Sequence, residues 1–212
     1  LQACTEEVFG TGALRGMTVA VQGLGHVGMN LLELLNKAGA KMMVSDIRRD
    51  RVTLAEDRYK AKSVSPEAIY QVEAEIFAPC ALGAIINDET IPRFKFKIIA
   101  GSANNQLADE KKHGQVLKEK GILYAPDYVI NAGGLMNVAN EIEGYVRERV
   151  MKQAEGIYSS LKDIFAIAKK EDIPTNVASN RMAERRIEGV AKLRRKFVTL
   201  PPVHYRGGRI FR

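Results

Sequence analysis

Three groups of residues have types and spacings suited to holding a ligand. The first is Gly23-Leu24-Gly25-His26-Val27-Gly28, three glycines spaced G-x-G-x-x-G. Between a strand and a helix, Gly23 permits a tight turn and Gly25 lets backbone N–H groups approach a pyrophosphate with no Cβ in the way. Gly28 then allows the helix to pack closely on the strand. The helix start would present its free N–H groups and positive dipole end to the phosphates. The second group is Asp46, eighteen positions after Gly28, at the end of Met42-Met43-Val44-Ser45. A carboxylate there accepts hydrogen bonds from a ribose diol and repels a 2′-phosphate, which predicts NAD rather than NADP; Arg48 and Arg49 are the neighbours that could instead receive a 2′-phosphate.

The third group is small and amide residues at the ends of apolar runs, where ligands of open α/β sheets gather. Ala78-Pro79-Cys80-Ala81-Leu82-Gly83 would let a flat ring or ribose approach. Gly101-Ser102-Ala103-Asn104-Asn105-Gln106 holds three adjacent carboxamides, which donate and accept at once and suit a nicotinamide carboxamide or an amino-acid carboxylate. Asn131 with Gly133-Gly134 can floor a ring, and Leu135, Met136 and Val138 open the next helix with an apolar face. Cys80 has no activating base nearby and reads as a buried, inert thiol. His26 reads as a loop residue, and His113 and His204 as surface residues.

These groups need elements to position them. Apolar runs predict strands at Met17 to Gln22, Lys41 to Asp46, Glu75 to Ala78, Lys97 to Gly101 and Ile122 to Tyr124. Leu31, Leu32, Leu34, Leu35 and Ala38 recur at helical spacing before Gly39, a C-terminal cap, so the first two strands and this helix form one βαβ unit. Ser65 followed by Pro66 predicts another helix start, and a further helix is expected from Leu107 to Lys120. After Ala132 only helices are expected: Leu135 to Glu143, Tyr145 to Lys170, and a last one carrying Val177, Met182, Ile187, Val190, Ala191 and Leu193. The alternation predicts an α/β fold with a mostly parallel sheet and a C-terminal helical extension. The expected divisions are a dinucleotide-binding core at 1–144, helices at 145–198 packing on that core or a neighbour, and a basic tail at 199–212.

Composition sets outer bounds. Of 212 residues, 46% are hydrophobic and 27% charged, the balance of a globular domain with a real core. No apolar stretch approaches the roughly 18 residues that span a bilayer, and no basic-then-apolar leader is seen, which predicts a soluble cytoplasmic protein with no membrane partner. Two cysteines, Cys4 and Cys80, without metal-like spacing suggest neither a disulfide framework nor a zinc site. From Arg181 onward ten Lys or Arg stand against Glu184 and Glu188, so the overall charge of +7 belongs to the end of the chain. That end matches no nucleic-acid motif, and a solvated helix face with a loose terminus is expected rather than nucleic-acid binding. Leu1 to Val8 reads as the end of an amphipathic helix, as if the chain were a fragment.

Taken in order, Gly23 to Gly28, Ala78 to Gly83, Gly101 to Gln106, Tyr124 to Gly134, Ala166-Ile167-Ala168-Lys169 and Arg181-Met182-Ala183-Glu184 resemble the leucine dehydrogenase type of amino-acid dehydrogenase, within the glutamate/leucine/phenylalanine/valine family. The resemblance runs from about Phe9 to Phe197. It implies a doubly wound Rossmann-like domain that closes on a separate substrate domain, in a homo-oligomer. It also implies NAD-dependent oxidative deamination of an L-amino acid to the 2-oxo acid and ammonia. Cofactor residues carried over are Gly23, Gly25, His26, Val27, Gly28 and Asp46, with Ile47, Cys80, Ala81, Ala103, Asn104 and Asn131 completing the set. Asn105 would hold the substrate carboxylate, and Leu135 and Val138 its side chain; no charge accompanies them, which favours a branched aliphatic amino acid, leucine ahead of valine or isoleucine, with a phenylalanine or valine dehydrogenase and a stand-alone NAD-binding regulatory module as the alternatives. The family's catalytic lysines and aspartate belong to an amino-terminal domain, and no Gly-Gly-x-Lys occurs here, so no catalytic residue is assigned to this chain.

Overall fold

The computed structural model describes residues 1–142 and 144–197, with side chains described up to Lys192. The expected basic tail and His204 lie outside the described residues. Six strands form one all-parallel sheet: β1 (Thr18–Gln22), β2 (Lys41–Ser45), β3 (Lys62–Ser63), β4 (Ile76–Pro79), β5 (Ile98–Ile99) and β6 (Leu123–Tyr124). Their spatial order is β3-β2-β1-β4-β5-β6. Parallel strands are covered on both faces and need continuous apolar sequence. Val19, Ala20 and Val21 of β1 and Ile76, Phe77 and Ala78 of β4 meet that requirement and are fully buried. The chain builds outward from β1 to β3 and then returns to the other side of β1, so the order reverses between β1 and β4. A crevice outside the carboxyl ends of the strands is expected at that point. The pairing of Gln22 with Ser45 on one side and Pro79 on the other brings the three strand ends level.

The helices are α1 (Gln2–Phe9), α2 (His26–Lys37), α3 (Arg49–Tyr59), α4 (Glu110–Glu119), α5 (Asp127–Ile130), α6 (Gly133–Ile142), α7 (Arg147–Glu171) and α8 (Thr175–Phe197). In α2, Gly28, Leu32 and Leu35 are buried at positions i, i+4 and i+7, one face toward the sheet. The chain leaves this helix through Gly39 at φ 73°, the left-handed conformation that glycine takes at no steric cost. Asp109 caps α4, its carboxylate accepting from the Lys112 N–H at 2.9 Å. The long α7 buries Val150, Leu161, Ile164, Phe165 and Ala168 and ends at Asp172, two residues before Pro174.

Four expectations change. Ser65 does accept from the Ala68 N–H at 3.3 Å, yet only a single 3₁₀ turn, Ala68–Gln71, follows. Ile69 and Tyr70 bury at once and β4 begins at Ile76, which leaves no length for a full helix. The helix expected from Leu107 starts later, because Leu107 bridges Ile86 and the Ala108 N–H donates to the Ile86 carbonyl at 3.0 Å. Neither β3 nor α3 was expected. α3 buries only Val52, Ala55 and Tyr59 in an otherwise polar stretch, too thin a stripe to see in the sequence. His113 is not a surface residue: it is buried on α4, its Nδ1 accepting from the Asp109 N–H at 2.9 Å and its Nε2 lying 3.3 Å from Asp88 Oδ1.

Leu1–Ser179 form one compact unit, and a second begins at Asn180. Residues 180–197 of that second unit are helical, with Lys192 and Glu188 4.0 Å apart along the helix. No helix among the described residues is long and apolar enough to cross a membrane. One side of the sheet rests on an aromatic cluster: Phe77 stacks on Phe96 with centroids 4.9 Å apart, and Tyr70 and Phe94 close around Phe77 at 6.0 and 5.8 Å. Truncating a ring at the centre of such a cluster removes transfer energy and leaves a cavity. Phe77→Ala is expected to lower stability by about 3–5 kcal/mol, read as a fall in the urea midpoint.

Candidate functional site

The glycines of the first motif do different things. Gly23 leaves β1 at φ 95°, its N–H donating to the Ser45 carbonyl at 2.8 Å, and a Cβ on it would lie 2.6 Å from the Ala81 Cβ. A Cβ on Gly28 would fall 2.0 Å from the Gly23 carbonyl oxygen. Both glycines are required by the protein's packing on itself. Gly25 is not: its φ of −69° and ψ of −168° suit any residue, and a Cβ there would meet only Arg51 Nη1, at 3.9 Å. The lack of a side chain at Gly25 leaves open space in front of α2. No side chain caps this helix, and its backbone bonding begins with Met29 N–H to the Gly25 carbonyl at 3.0 Å. The earlier N–H groups of the first turn therefore have no partner within the helix. His26 and Val27 stand exposed at this end. An open cradle at an uncapped helix start fits a pyrophosphate.

Asp46 lies beside the cradle. Its Oδ2 accepts from the Leu24 N–H at 2.6 Å and its Oδ1 from the Arg48 N–H at 2.8 Å, so the carboxylate staples the glycine loop to the end of β2. Its side chain is only 7% exposed, with Arg51 Nη1 3.8 Å from Oδ2. Ile47, next in sequence, is 91% exposed and forms an apolar edge to the recess that Asp46, Arg49, Val64 and Pro66 also line.

The loops after β4 and β5 are laced together. The Cys80 N–H donates to the Gln22 carbonyl at 2.7 Å, the Ala103 N–H to the Pro79 carbonyl at 3.0 Å, and the Ala84 N–H to the Asn105 carbonyl at 2.6 Å. Ala81 is exposed beside Gly23, Ala103 is buried, and Cys80 is partly buried. Burial pushes the Cys80 thiol up, against a smaller opposing effect of its hydrogen bond with Ser102, so it stays a neutral thiol and a poor nucleophile.

The three adjacent amides part company. Gln106 is fully buried, its Nε2 donating to the carbonyls of Gly101 at 2.8 Å and Ala103 at 2.9 Å. Its N–H donates to Asp127 Oδ2 at 3.2 Å, and Tyr124 donates to the other oxygen of Asp127 at 3.2 Å. Burial and then the Asp127 charge push the Tyr124 hydroxyl far up, so it remains a donor at any ordinary pH. Gln106 and Asp127 thus shape the loop from beneath, a role the sequence did not reveal. Asn104 and Asn105 remain exposed. Asn104 Oδ1 accepts from Asn131 Nδ2 at 2.5 Å, which joins the end of β5 to the start of α6. Asn105 is held at φ 51°, a left-handed conformation that asparagine tolerates better than most residues.

On α6, Leu135 and Val138 are 74% and 56% exposed, and Ile142 continues the same stripe. Asn140 fixes this helix on α7 by donating to Gln153 Oε1 at 2.6 Å and accepting from Arg149 Nε at 2.5 Å. The carboxyl ends of the strands thus present a basic and apolar recess beside Asp46, an open cradle at Gly25, and exposed amides joined through Asn131 to the start of α6. These amides can orient a carboxamide or a carboxylate, and none of them can take up a proton at neutral pH. Among the described residues no cluster of His, Cys, Asp and Glu could hold a metal ion.

The chain is 54% identical over 198 residues to leucine dehydrogenase from Thermoactinomyces intermedius, covering 93% of this chain and 54% of that protein. It is 47% identical over 194 residues to phenylalanine dehydrogenase from Lysinibacillus sphaericus, covering 89% of this chain and 51% of the relative. The crystal structure of L-tryptophan dehydrogenase from Nostoc punctiforme superposes with a TM-score of 0.89 at 48% identity, over 90% of this chain and 58% of that one. The chain thus spans about half the length of the curated relatives it matches. The sequence profile of the glutamate/leucine/phenylalanine/valine dehydrogenases matches residues 43–194, and the chain belongs to that family.

Proposed function

We propose that this chain is the cofactor-holding part of an NAD-dependent dehydrogenase that oxidatively deaminates a branched-chain L-amino acid, leucine above all. The observation that carries the reading is the open cradle at Gly25 before an uncapped α2, with Asp46 at its side. The N–H groups of His26, Val27 and Gly28 receive the pyrophosphate, and Asp46 with Ile47 holds the adenosine ribose. Cys80, Ala81, Ala103, Asn104 and Asn131 bound the nicotinamide end. When bound, the nicotinamide supplies a hydride acceptor for the substrate α-carbon.

The residues of the chain itself bind and orient. Asn105 donates to the substrate carboxylate, and Leu135 and Val138 exclude water from its side chain. The exposed stripe carries no charge, which suits an aliphatic side chain and disfavours glutamate. Deamination also needs a water to be activated and protons to be moved, tasks for a group with a pKa near neutrality. The amides and small residues of the crevice cannot perform them. A lysine-bearing substrate domain supplies that chemistry in the whole enzyme, a cytoplasmic homo-oligomer, and these 212 residues alone bind NAD without turnover.

Calorimetric titration with NAD tests the cradle. Gly25→Val meets little protein, so its melting temperature is expected to stay within a few degrees of the parent while NAD affinity falls about tenfold or more, the loss of about 1.4 kcal/mol of contact. Undiminished NAD binding by this variant would sink the assignment. Gly28→Ala behaves in the opposite way, because its methyl collides with the Gly23 carbonyl: about 1–3 kcal/mol of stability is expected to go, seen in thermal melting without any nucleotide. Joined to the amino-terminal domain of a relative, the chain is expected to oxidise leucine in preference to glutamate; a preference for glutamate would overturn the substrate assignment.

A further inference from the structure

Of three arginines that follow Asp46, the structure singles out one that the spacing of the sequence did not. Arg48 is taken up by Asp50, with Nε 3.1 Å from Oδ1 and Nη2 2.6 Å from Oδ2. This forked pair is self-neutralising on the surface. Arg49 lines the recess that holds Asp46 and Ile47. Arg51, brought round by the first turn of α3, lies over the cradle itself: Nη1 is 3.8 Å from Asp46 Oδ2 and 3.9 Å from the position a Cβ on Gly25 would take. The contact to Asp46 is a long ion pair, 3.8 Å and beyond hydrogen-bond distance, so the guanidinium keeps donors to offer a ligand. Its side chain is 38% exposed, open to a ligand on the solvent side.

The carboxylate that should repel a 2′-phosphate is at the same time muted. Both oxygens of Asp46 already accept a backbone N–H, and the side chain is almost wholly buried. Arg51 beside Asp46, with Arg49 lining the adjoining recess, therefore sets positive charge against one hydrogen-bonded carboxylate. A phosphomonoester carries close to two negative charges near neutral pH and pairs with the planar fork of an arginine.

We propose that Arg51 is a specificity-determining residue that makes the crevice accept a 2′-phosphorylated dinucleotide alongside the unphosphorylated one. The inference rests on the dinucleotide reading given above. Asp46 retains the ribose diol of NAD, while Arg51, supported by Arg49, receives the 2′-phosphate of NADP.

The test is calorimetry of the full 212-residue chain with NAD, NADP, 5′-AMP and 2′,5′-ADP, beside Arg51→Ala and Arg51→Lys. The parent is expected to bind NADP within about tenfold of NAD, and 2′,5′-ADP more tightly than 5′-AMP. In Arg51→Ala the ratio of NADP to NAD affinity is expected to fall about tenfold or more, the loss of one charge-assisted contact. Arg51→Lys should restore part of it, because it keeps the charge and loses the fork. The preference for the 2′-phosphate is also expected to weaken as salt is raised. A parent chain that binds NAD and not NADP, or an NADP to NAD ratio unmoved in Arg51→Ala, overturns the role of Arg51. A folded chain that binds none of the four nucleotides overturns the dinucleotide reading, and this inference with it.

Discussion

The site depends on one close approach, where the turn after β1 passes beneath the loop after β4. The Gly23 carbonyl sits where any side chain on Gly28 would be, and Ala81 sits where any side chain on Gly23 would be. Helix α2, the end of β1 and the end of β4 are thereby held at backbone contact distance, with no side chains between them. Because parallel pairing sets Gln22 level with Ser45 and Pro79, the loops leave the sheet from one line. A run of backbone bonds then carries that alignment sideways: Gly23 to Ser45, Cys80 to Gln22, and Ala103 to Pro79. Dense backbone pairing of this kind is stiff, and it holds the crevice open before any ligand arrives.

Holding such a crevice has a local cost. The buried side-chain oxygens of Gln22 and Gln106 lack partners among the described residues, and Asn105 takes a left-handed conformation. An unpaired buried acceptor costs about 1–3 kcal/mol and a left-handed non-glycine residue about 1–2 kcal/mol. The aromatic cluster around Phe77 and the continuous apolar strands β1 and β4 stabilise the sheet enough to support these features. Ala84 and Asn105 hold left-handed conformations in the loops after β4 and β5, while Lys60 and Asp172 take theirs at the ends of α3 and α7.

The crevice separates holding from proton chemistry. In the proposed reading its cradle end would use main-chain N–H groups, which cannot be titrated, and its other end amides, which are equally indifferent to pH. Asp46 and Asp127, the carboxylates described at the site, each accept hydrogen bonds from backbone N–H or hydroxyl groups. The chain belongs to the glutamate/leucine/phenylalanine/valine dehydrogenases and spans about half the length of its relatives.

The sequence by itself determined the elements whose cause is local. Short apolar runs marked β1, β2 and β4, because a strand covered on both faces has little room for polar side chains. Gly23 and Gly28 marked the turn, because a side chain is disfavoured at φ 95° and has no room against a carbonyl oxygen. Asp46 was legible for a similar reason, standing at a strand end a fixed distance past the glycines. Only the tertiary structure decided the rest. α3 shows three buried residues in eleven, and its packing against β2 had to be seen before Arg51 could be placed over Gly25. Gln106 and Asn105 are neighbours of like chemistry, yet Gln106 turns its amide onto the Gly101 and Ala103 carbonyls while its main-chain N–H is held by Asp127, twenty-one residues away. His113 looks like any surface histidine until Asp88, from another loop, is brought beside it. Periodicity and steric exclusion act over a few residues and can be read along the chain; burial and partnership are set by residues far apart in sequence, and only folding brings them together.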